Sequence, residues 1–210
     1  MPKSAPFEEH TEEYEAWFSD NPLAYQAELR AMREFIPPSG SGVEIGVGSG
    51  RFAAPLGIKY GLEPAESMRK IAEQRGIQTK QGTGENLPYP DHHFDYTVIV
   101  TTLCFLDDPL KAFQEAHRIL KPAGIFLIGF VDKESPIGQL YQQYKNENVF
   151  YRIATFYSVH EVTDQLIHSG FRNIEYRQTL FHSLDDLTDT EPVHPGYGEG
   201  SFVVVKAVKM

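Results

Sequence analysis

"EIGVGSGRF", Glu44 to Phe52, sets glycines at 46, 48 and 50 behind a single acid. The apolar "GVEIGV" around its start reads as a strand, and a glycine-rich turn leading from a strand into a helix lets backbone approach a ligand closely. Open α/β sheets bind ligands in the crevice beyond such strand ends. Alone, the ladder leaves several kinds of nucleotide open.

Outward from it, the runs "IKYGLE", "IQTKQG", "YTVIVTT" and "IFLIGFV" alternate with helical patterns, which predicts a parallel, doubly wound sheet. The tail differs. "NIEYRQTLF" and "SFVVVKAVKM" are both strand-like and are joined by the turn-rich "HPGYGEG" region, which predicts an antiparallel hairpin at the sheet edge. The expected class is α/β, with a seven-stranded sheet that is mostly parallel. Only Arg51 to Gly57 separate the glycine turn from the second strand, so the first crossover helix is expected to be a single turn.

A helix is predicted over Pro109–Leu120, with Asp108 as N-cap and Leu110, Phe113, Ala116, Ile119 and Leu120 as its apolar stripe. Another is predicted over Ser158–Ser169, with Ser158 and Glu161 as a capping box and Val159, Val162, Leu166 and Ile167 toward the sheet. Before the ladder, Tyr14, Trp17, Phe18, Tyr25, Leu29, Met32 and Ile36 fall at helical spacings until two prolines. Residues 1–38 therefore read as an N-terminal helical lid or flank of one or two helices. Residues 39–210 read as the main domain, with a lid insert at about 133–157.

A chain of 210 residues suits one core, and its formal charge of −10 repels phosphate backbones and anionic membrane faces, so neither nucleic acid nor membrane is an expected partner. The only cysteine, Cys104, cannot form an internal disulfide, and "MPKSAPFEEH" lacks a signal-peptide apolar run. A cytoplasmic protein is expected. The run Ile125 to Val131 is far short of the roughly 20 residues that span a bilayer.

Glu63 ends the second predicted strand, where a carboxylate can accept both hydroxyls of a ribose. Two cofactor classes share that arrangement. A dinucleotide needs a third glycine or alanine where Arg51 stands, and Glu44 would repel a pyrophosphate while suiting a ligand that carries an ammonium and a sulfonium.

With "VEIGVGSG", "YGLEPAESM", "QGTGENLPYPDHHFDYTVIVTTLCFLDDP" and "EAHRILKPAGIFLIGF" in this order, the sequence resembles the class I S-adenosylmethionine-dependent methyltransferases of the type 11 small-molecule branch, over about Tyr14 to Phe171. The resemblance implies a Rossmann-like fold, S-adenosylmethionine as cofactor and a small-molecule methyl acceptor. It implies that Gly46, Gly48 and Gly50 wrap the methionine part, with Glu44 orienting its ammonium. Glu63 would hold the ribose, and Pro64 and Met68 would pack on adenine, Met68 serving equally as plain core. Thr83 replaces the family's usual aspartate beside Gly84 and Glu85, which weakens the adenine contact, and Thr101 and Thr102 fall near the methionine part.

No catalytic base is named by sequence. His10, His92 and His93 are the histidines to inspect, Cys104 reads as packing, and neither the His nor the Cys spacing suggests a metal. Aromatics outside the shared core, Tyr14, Trp17 and Phe18 in the first segment and Tyr141, Tyr144 and Tyr151 in the insert, are candidate acceptor contacts, or else interhelical packing. The competing readings are a NAD-dependent oxidoreductase and a protein that binds S-adenosylmethionine without turnover.

Overall fold

In a computed structural model that describes residues 3–210, the chain opens with three helices, α1 (Ala5–Glu9), α2 (Thr11–Asp20) and α3 (Pro22–Arg33). There follow β1 (Gly42–Ile45), α4 (Ala53–Leu56), β2 (Tyr60–Leu62), α5 (Glu66–Gln74), β3 (Gln78–Lys80) and β4 (Phe94–Val100). The second half adds α6 (Pro109–Ile119), β5 (Leu120–Val131), α7 (Pro136–Gln143), α8 (Val159–His168), β6 (Phe171–Thr179), β7 (His194–Pro195) and β8 (Phe202–Lys209). Among the described residues no helix is long and apolar enough to cross a membrane.

The sheet runs β3-β2-β1-β4-β5-β8-β6-β7, with the first five strands parallel and β8 antiparallel to both of its neighbours. Seven of these strands are the expected ones. The two-residue β7 adds an eighth at the margin, drawn from the turn-rich region and pairing with Arg177 and Gln178. The two tail strands pair antiparallel toward that edge as expected, with β8, the later in sequence, inserted between β5 and β6. Its Phe202, Val203, Val204, Val205 and Ala207 are all fully buried, so both faces demand cover, whereas "FRNIEYRQT" of β6 tolerates a place near the edge.

Helices cover both faces. Ala112, Phe113 and Ala116 of α6 and Val162 and Leu166 of α8 pack with Phe126, Ile128 and Phe171 on one side. Ala24, Ala27, Ala31 and Met32 of α3 and Ala53 of α4 pack with Val98, Leu127, Phe202 and Val204 on the other. The N-terminal segment thus divides: α3 is a layer of the main core, while α1 and α2 lie over the cavity described below. Two expected stripe residues face outward, since Leu110 and Ile167 are 39% and 43% exposed. Pro109 and Ala112 fill the α6 face in place of Leu110, and Leu166 seats α8 so that the next residue turns away. The capping box of α8 forms, Ser158 Oγ accepting from Glu161 N–H at 3.3 Å and Glu161 Oε2 from Ser158 N–H at 2.7 Å. The first crossover helix is a single turn of four residues.

Candidate functional site

β1 delivers the chain into the turn 46–50, whose backbone is held by its neighbours. Gly48 has φ +52°, and a Cβ there would lie 3.1 Å from the Tyr14 hydroxyl, so glycine serves both the left-handed backbone and the close approach of α2. Gly48 N–H donates to Glu63 Oε2 at 3.0 Å, and Ala65 N–H donates to Oε1 at 2.9 Å. One carboxylate therefore ties the glycine turn to the loop after β2. Burial pushes Glu63 up to about 7 against those two hydrogen bonds. Glu44, 2% exposed, lies behind the turn with Oε2 unpaired. Burial drives its carboxyl well above the usual range despite the Ala53 N–H, and the charge of Glu63 adds to the rise.

Beyond the turn opens a cavity of about 460 Å³. Its lining includes Gly46, Gly48, Glu63 and Pro64, the loop Gly82, Thr83, Gly84 and Glu85, and Thr101, Thr102, Leu106 and Asp107. Trp17, Phe18, Glu28, Val131, Tyr141, Phe150 and Tyr151 line it as well. Thr101, the residue after β4, has φ +51°, a conformation a β-branched residue rarely adopts and one that clusters at binding sites.

Four sequence candidates do not line this space. Met68 is fully buried and is core. Glu44 lies one layer beneath the wall. Gly50 seats the turn on α5, where a Cβ would come within 3.4 Å of Ala72 and Ile77. Tyr144 is 47% exposed, because α7 ends at Gln143 and the chain leaves the inward face there. Tyr14 does line it, but at the glycine turn. Burial first, then Glu44, Glu63 and Glu15, push its phenol up, so it stands as a neutral hydroxyl.

Arg51, where a dinucleotide turn needs a small residue, reaches back to α2 and meets Glu15 Oε2 at 2.6 Å. Arg75 of the α5 C-terminus meets the same oxygen at 2.5 Å, and Ser49 Oγ donates to Glu15 Oε1. Against burial, which alone would raise it, the hydrogen bonds from Arg75, Arg51 and Ser49 hold the Glu15 carboxyl down at about 2. This clasp fixes α2 over the turn and was missed from sequence, its partners lying 36 and 60 residues away.

Rings close the mouth. Phe7 of α1 packs on Phe105 and Phe150 at centroid distances of 4.8 and 5.1 Å, and Tyr14 on Phe150 at 6.3 Å. Tyr141 and Tyr151 stack obliquely at 4.6 Å on the inner wall. No histidine lines the cavity among the described residues. His10 pairs with Glu13, His92 Nδ1 lies 3.2 Å from Lys209 Nζ, and His93 packs on Phe94. Cys104 donates to Thr101 O at 3.6 Å, and burial pushes its thiol up to about 12, so it carries no thiolate at neutral pH.

Glu28 was also missed. It is 3% exposed, its Oε2 makes no hydrogen bond, and burial pushes its carboxyl up to about 8. The signal lay in α3 itself: Glu28 falls four residues after Ala24 and four before Met32, on the buried stripe.

The wall carries Glu13, Glu28, Glu63, Glu85, Asp107 and Glu147 against Lys3 as the single Lys or Arg among the described residues. Such an acidic wall, with Glu63 beside the glycine turn, fits the positive charges and the ribose of S-adenosylmethionine. The comparisons agree with that chemistry. A family model described as "Methyltransferase domain" matches residues 43–128. A solved structure from Thermotoga maritima, described as a "SAM-dependent methyltransferase, possible histamine N-methyltransferase", is 47% identical, covers 99% of this chain and 100% of its own, and superposes with a TM-score of 0.97. An uncharacterised protein of Methanocaldococcus jannaschii is 43% identical over 97% of this chain and 98% of its own length. A demethylmenaquinone methyltransferase of Geobacillus stearothermophilus is 36% identical over 34% of this chain and 33% of its own length.

Proposed function

Because this chain belongs to the class I S-adenosylmethionine-dependent methyltransferases of the type 11 branch, we propose that its cavity moves a methyl group to a small-molecule acceptor. Family membership sets aside the dinucleotide oxidoreductase, and Arg51, engaged with Glu15, is of a piece with that. Binding without turnover is distinguished by the transfer assay below.

The observation that carries the reading is that one cavity is lined by Glu63, by the glycine turn and by the rings of Tyr141 and Tyr151. The cofactor supplies a methyl carbon bound to a positively charged sulfur, which leaves as a neutral thioether. Gly46 and Gly48 give the backbone against which the methionine part rests, Glu63 accepts from the ribose hydroxyls, and Pro64 and the Thr83–Glu85 loop border the adenine. Thr101 borders the same cavity. Glu44 acts from behind the turn, and Gly50 and Met68 support the frame. Trp17, Phe18, Tyr141 and Tyr151 exclude water from the acceptor side and hold the acceptor in line, and such alignment supplies roughly 7–11 kcal/mol of rate enhancement.

Residues of α1 and α2 together with Phe150 border the cavity, which favours a small acceptor over a polymer. The Thermotoga and Geobacillus relatives carry small-molecule acceptors in their descriptions, histamine and demethylmenaquinone. The test supplies S-adenosylmethionine labelled on the methyl group, first with a small-molecule panel of amines, phenols and thiols and then with protein and RNA extracts. Label in the small-molecule fraction is expected; label confined to polymers, or no binding of the cofactor by calorimetry, refutes the proposal.

A further inference from the structure

We propose, on the basis of the methyl-transfer reading above, that Glu28 recognises the acceptor, that the acceptor is a small molecule bearing an ammonium group, and that Glu28 takes the proton which frees the nitrogen lone pair. The starting point is an anomaly. Glu28 occupies the apolar face of α3 between Ala24 and Met32, where a hydrophobic side chain would pack without penalty. A buried polar atom left unpaired costs about 1–3 kcal/mol, and more when charged. Its Oε2 has no partner in the protein, and the residue forms part of the cavity wall.

Its neighbours define what it can bind. Tyr141 of α7 and Tyr151 of the short 3-10 turn Tyr151–Ile153 are the titratable groups facing it, and the charge of Glu28 is felt at both. Burial pushes both phenols up, so neither is anionic at neutral pH. From α2, Trp17 and Phe18 contribute rings, and from β5, Val131 contributes an apolar wall. The cations on β6 and β8 are engaged elsewhere, Arg177 with Glu34 and Lys206 with Glu175, and burial alone acts on the Glu28 carboxyl. A carboxyl without a cation, in a wall that also carries aromatic rings, suits a ligand that brings its own positive charge. A phenol acceptor would bring no positive charge to pair with a Glu28 carboxylate, whereas an ammonium does.

The proton balance closes. Below about 8 the unliganded Glu28 carries a proton, which leaves to water as an ammonium group binds and forms the ion pair. Glu28 then accepts one proton from that ammonium, and the freed lone pair forms the N–C bond while the C–S bonding pair goes to sulfur. Glu28 ends as the neutral acid it began as, and the product departs as an N-methylammonium.

The test is calorimetry at pH 7 in two buffers of different ionisation enthalpy, titrating 2-phenylethylamine or its neutral isostere 2-phenylethanol into protein saturated with S-adenosylhomocysteine. The expected result is release of about one proton per amine bound, with the alcohol binding about tenfold weaker or less. Glu28→Gln should abolish the proton release and weaken the amine about tenfold or more while leaving S-adenosylhomocysteine affinity unchanged. Equal binding of alcohol and amine, no amine binding, absence of proton release, or a variant that loses S-adenosylhomocysteine instead of the amine overturns the proposal. Should the variant fail to fold, the wild-type comparison of amine with alcohol and the proton count decide it. Failure of the wild type to bind S-adenosylhomocysteine would instead strike the methyl-transfer reading itself.

Discussion

Replacing Glu28 by glutamine tests its burial through stability alone. The carboxyl moves from an ordinary 4.5 in the unfolded chain to about 8 in the folded one. Between those values the folded state holds a proton that the unfolded state has lost, so stability falls as pH rises through this window and levels off above it. At about 1.36 kcal/mol for each tenfold change, the full difference is on the order of 5 kcal/mol. Glutamine keeps the shape of the neutral acid and cannot ionise. The variant should therefore match the wild type near pH 4.5 and exceed it near pH 9. For a chain of this size, about 2–4 °C per kcal/mol makes the gap in Tm on the order of 10 °C. Thermal melts of both proteins in half-unit steps from pH 4.5 to 9 provide the measurement. Glu44 and Glu63 titrate in both proteins and cancel in the difference. Parallel Tm curves across the window would mean that Glu28 is hydrated or paired, and the reasoning would fall.

Three further outcomes are expected. Glu63→Ala should cost S-adenosylhomocysteine about 2–3 kcal/mol of affinity by calorimetry, since it removes both the cavity acid and the acceptor for Gly48 and Ala65 N–H; unchanged affinity would remove Glu63 from the ribose role. Glu15→Ala should lower the urea midpoint by an equivalent of about 1–3 kcal/mol by stranding Arg51 and Arg75. The wild-type clasp, with its carboxyl at about 2, should contribute fully above pH 4.5 and fade as pH falls toward 2, a slope the variant lacks. Gly48→Ala, which sets a Cβ 3.1 Å from the Tyr14 hydroxyl at φ +52°, should cost about 1–2 kcal/mol in stability and weaken cofactor binding, both read by thermal shift with and without ligand.

Local signals in the sequence carried over into the structure wherever chemistry and position coincide along the chain. The capping box at Ser158 and Glu161, the Asp108 cap and the one-turn crossover after the glycine ladder are of this kind, as each depends on residues within a few positions of one another. The insertion of β8 between β5 and β6 was not legible, because pairing order depends on which strand needs cover on both faces, and the hairpin pattern of the tail is the same either way. Nor was the fate of single aromatic or apolar residues at helix ends, as Tyr144 and Ile167 attest. The acids divide along the same line. Glu63 could be singled out by its place after a strand and does line the cavity, whereas Glu15 and Glu28 looked like ordinary solvated helix residues. Only the third dimension brings Arg75 to the first and the cavity to the second. For Glu28, the helical period of its alanines was the readable warning.

The two sides of the roof are fastened by different forces. Segment α2 is held by ion pairs to Arg51 and Arg75, while the 147–151 stretch leans on α1 through the ring of Phe150 against Phe7 and Tyr14. Ligand exchange along the weaker seam requires apolar surfaces to part and become wet, with no charge pair broken. Dissociation of S-adenosylhomocysteine through that seam should accordingly be almost indifferent to sodium chloride, which screens charges, and should slow in ammonium sulfate, which strengthens the association of apolar surfaces.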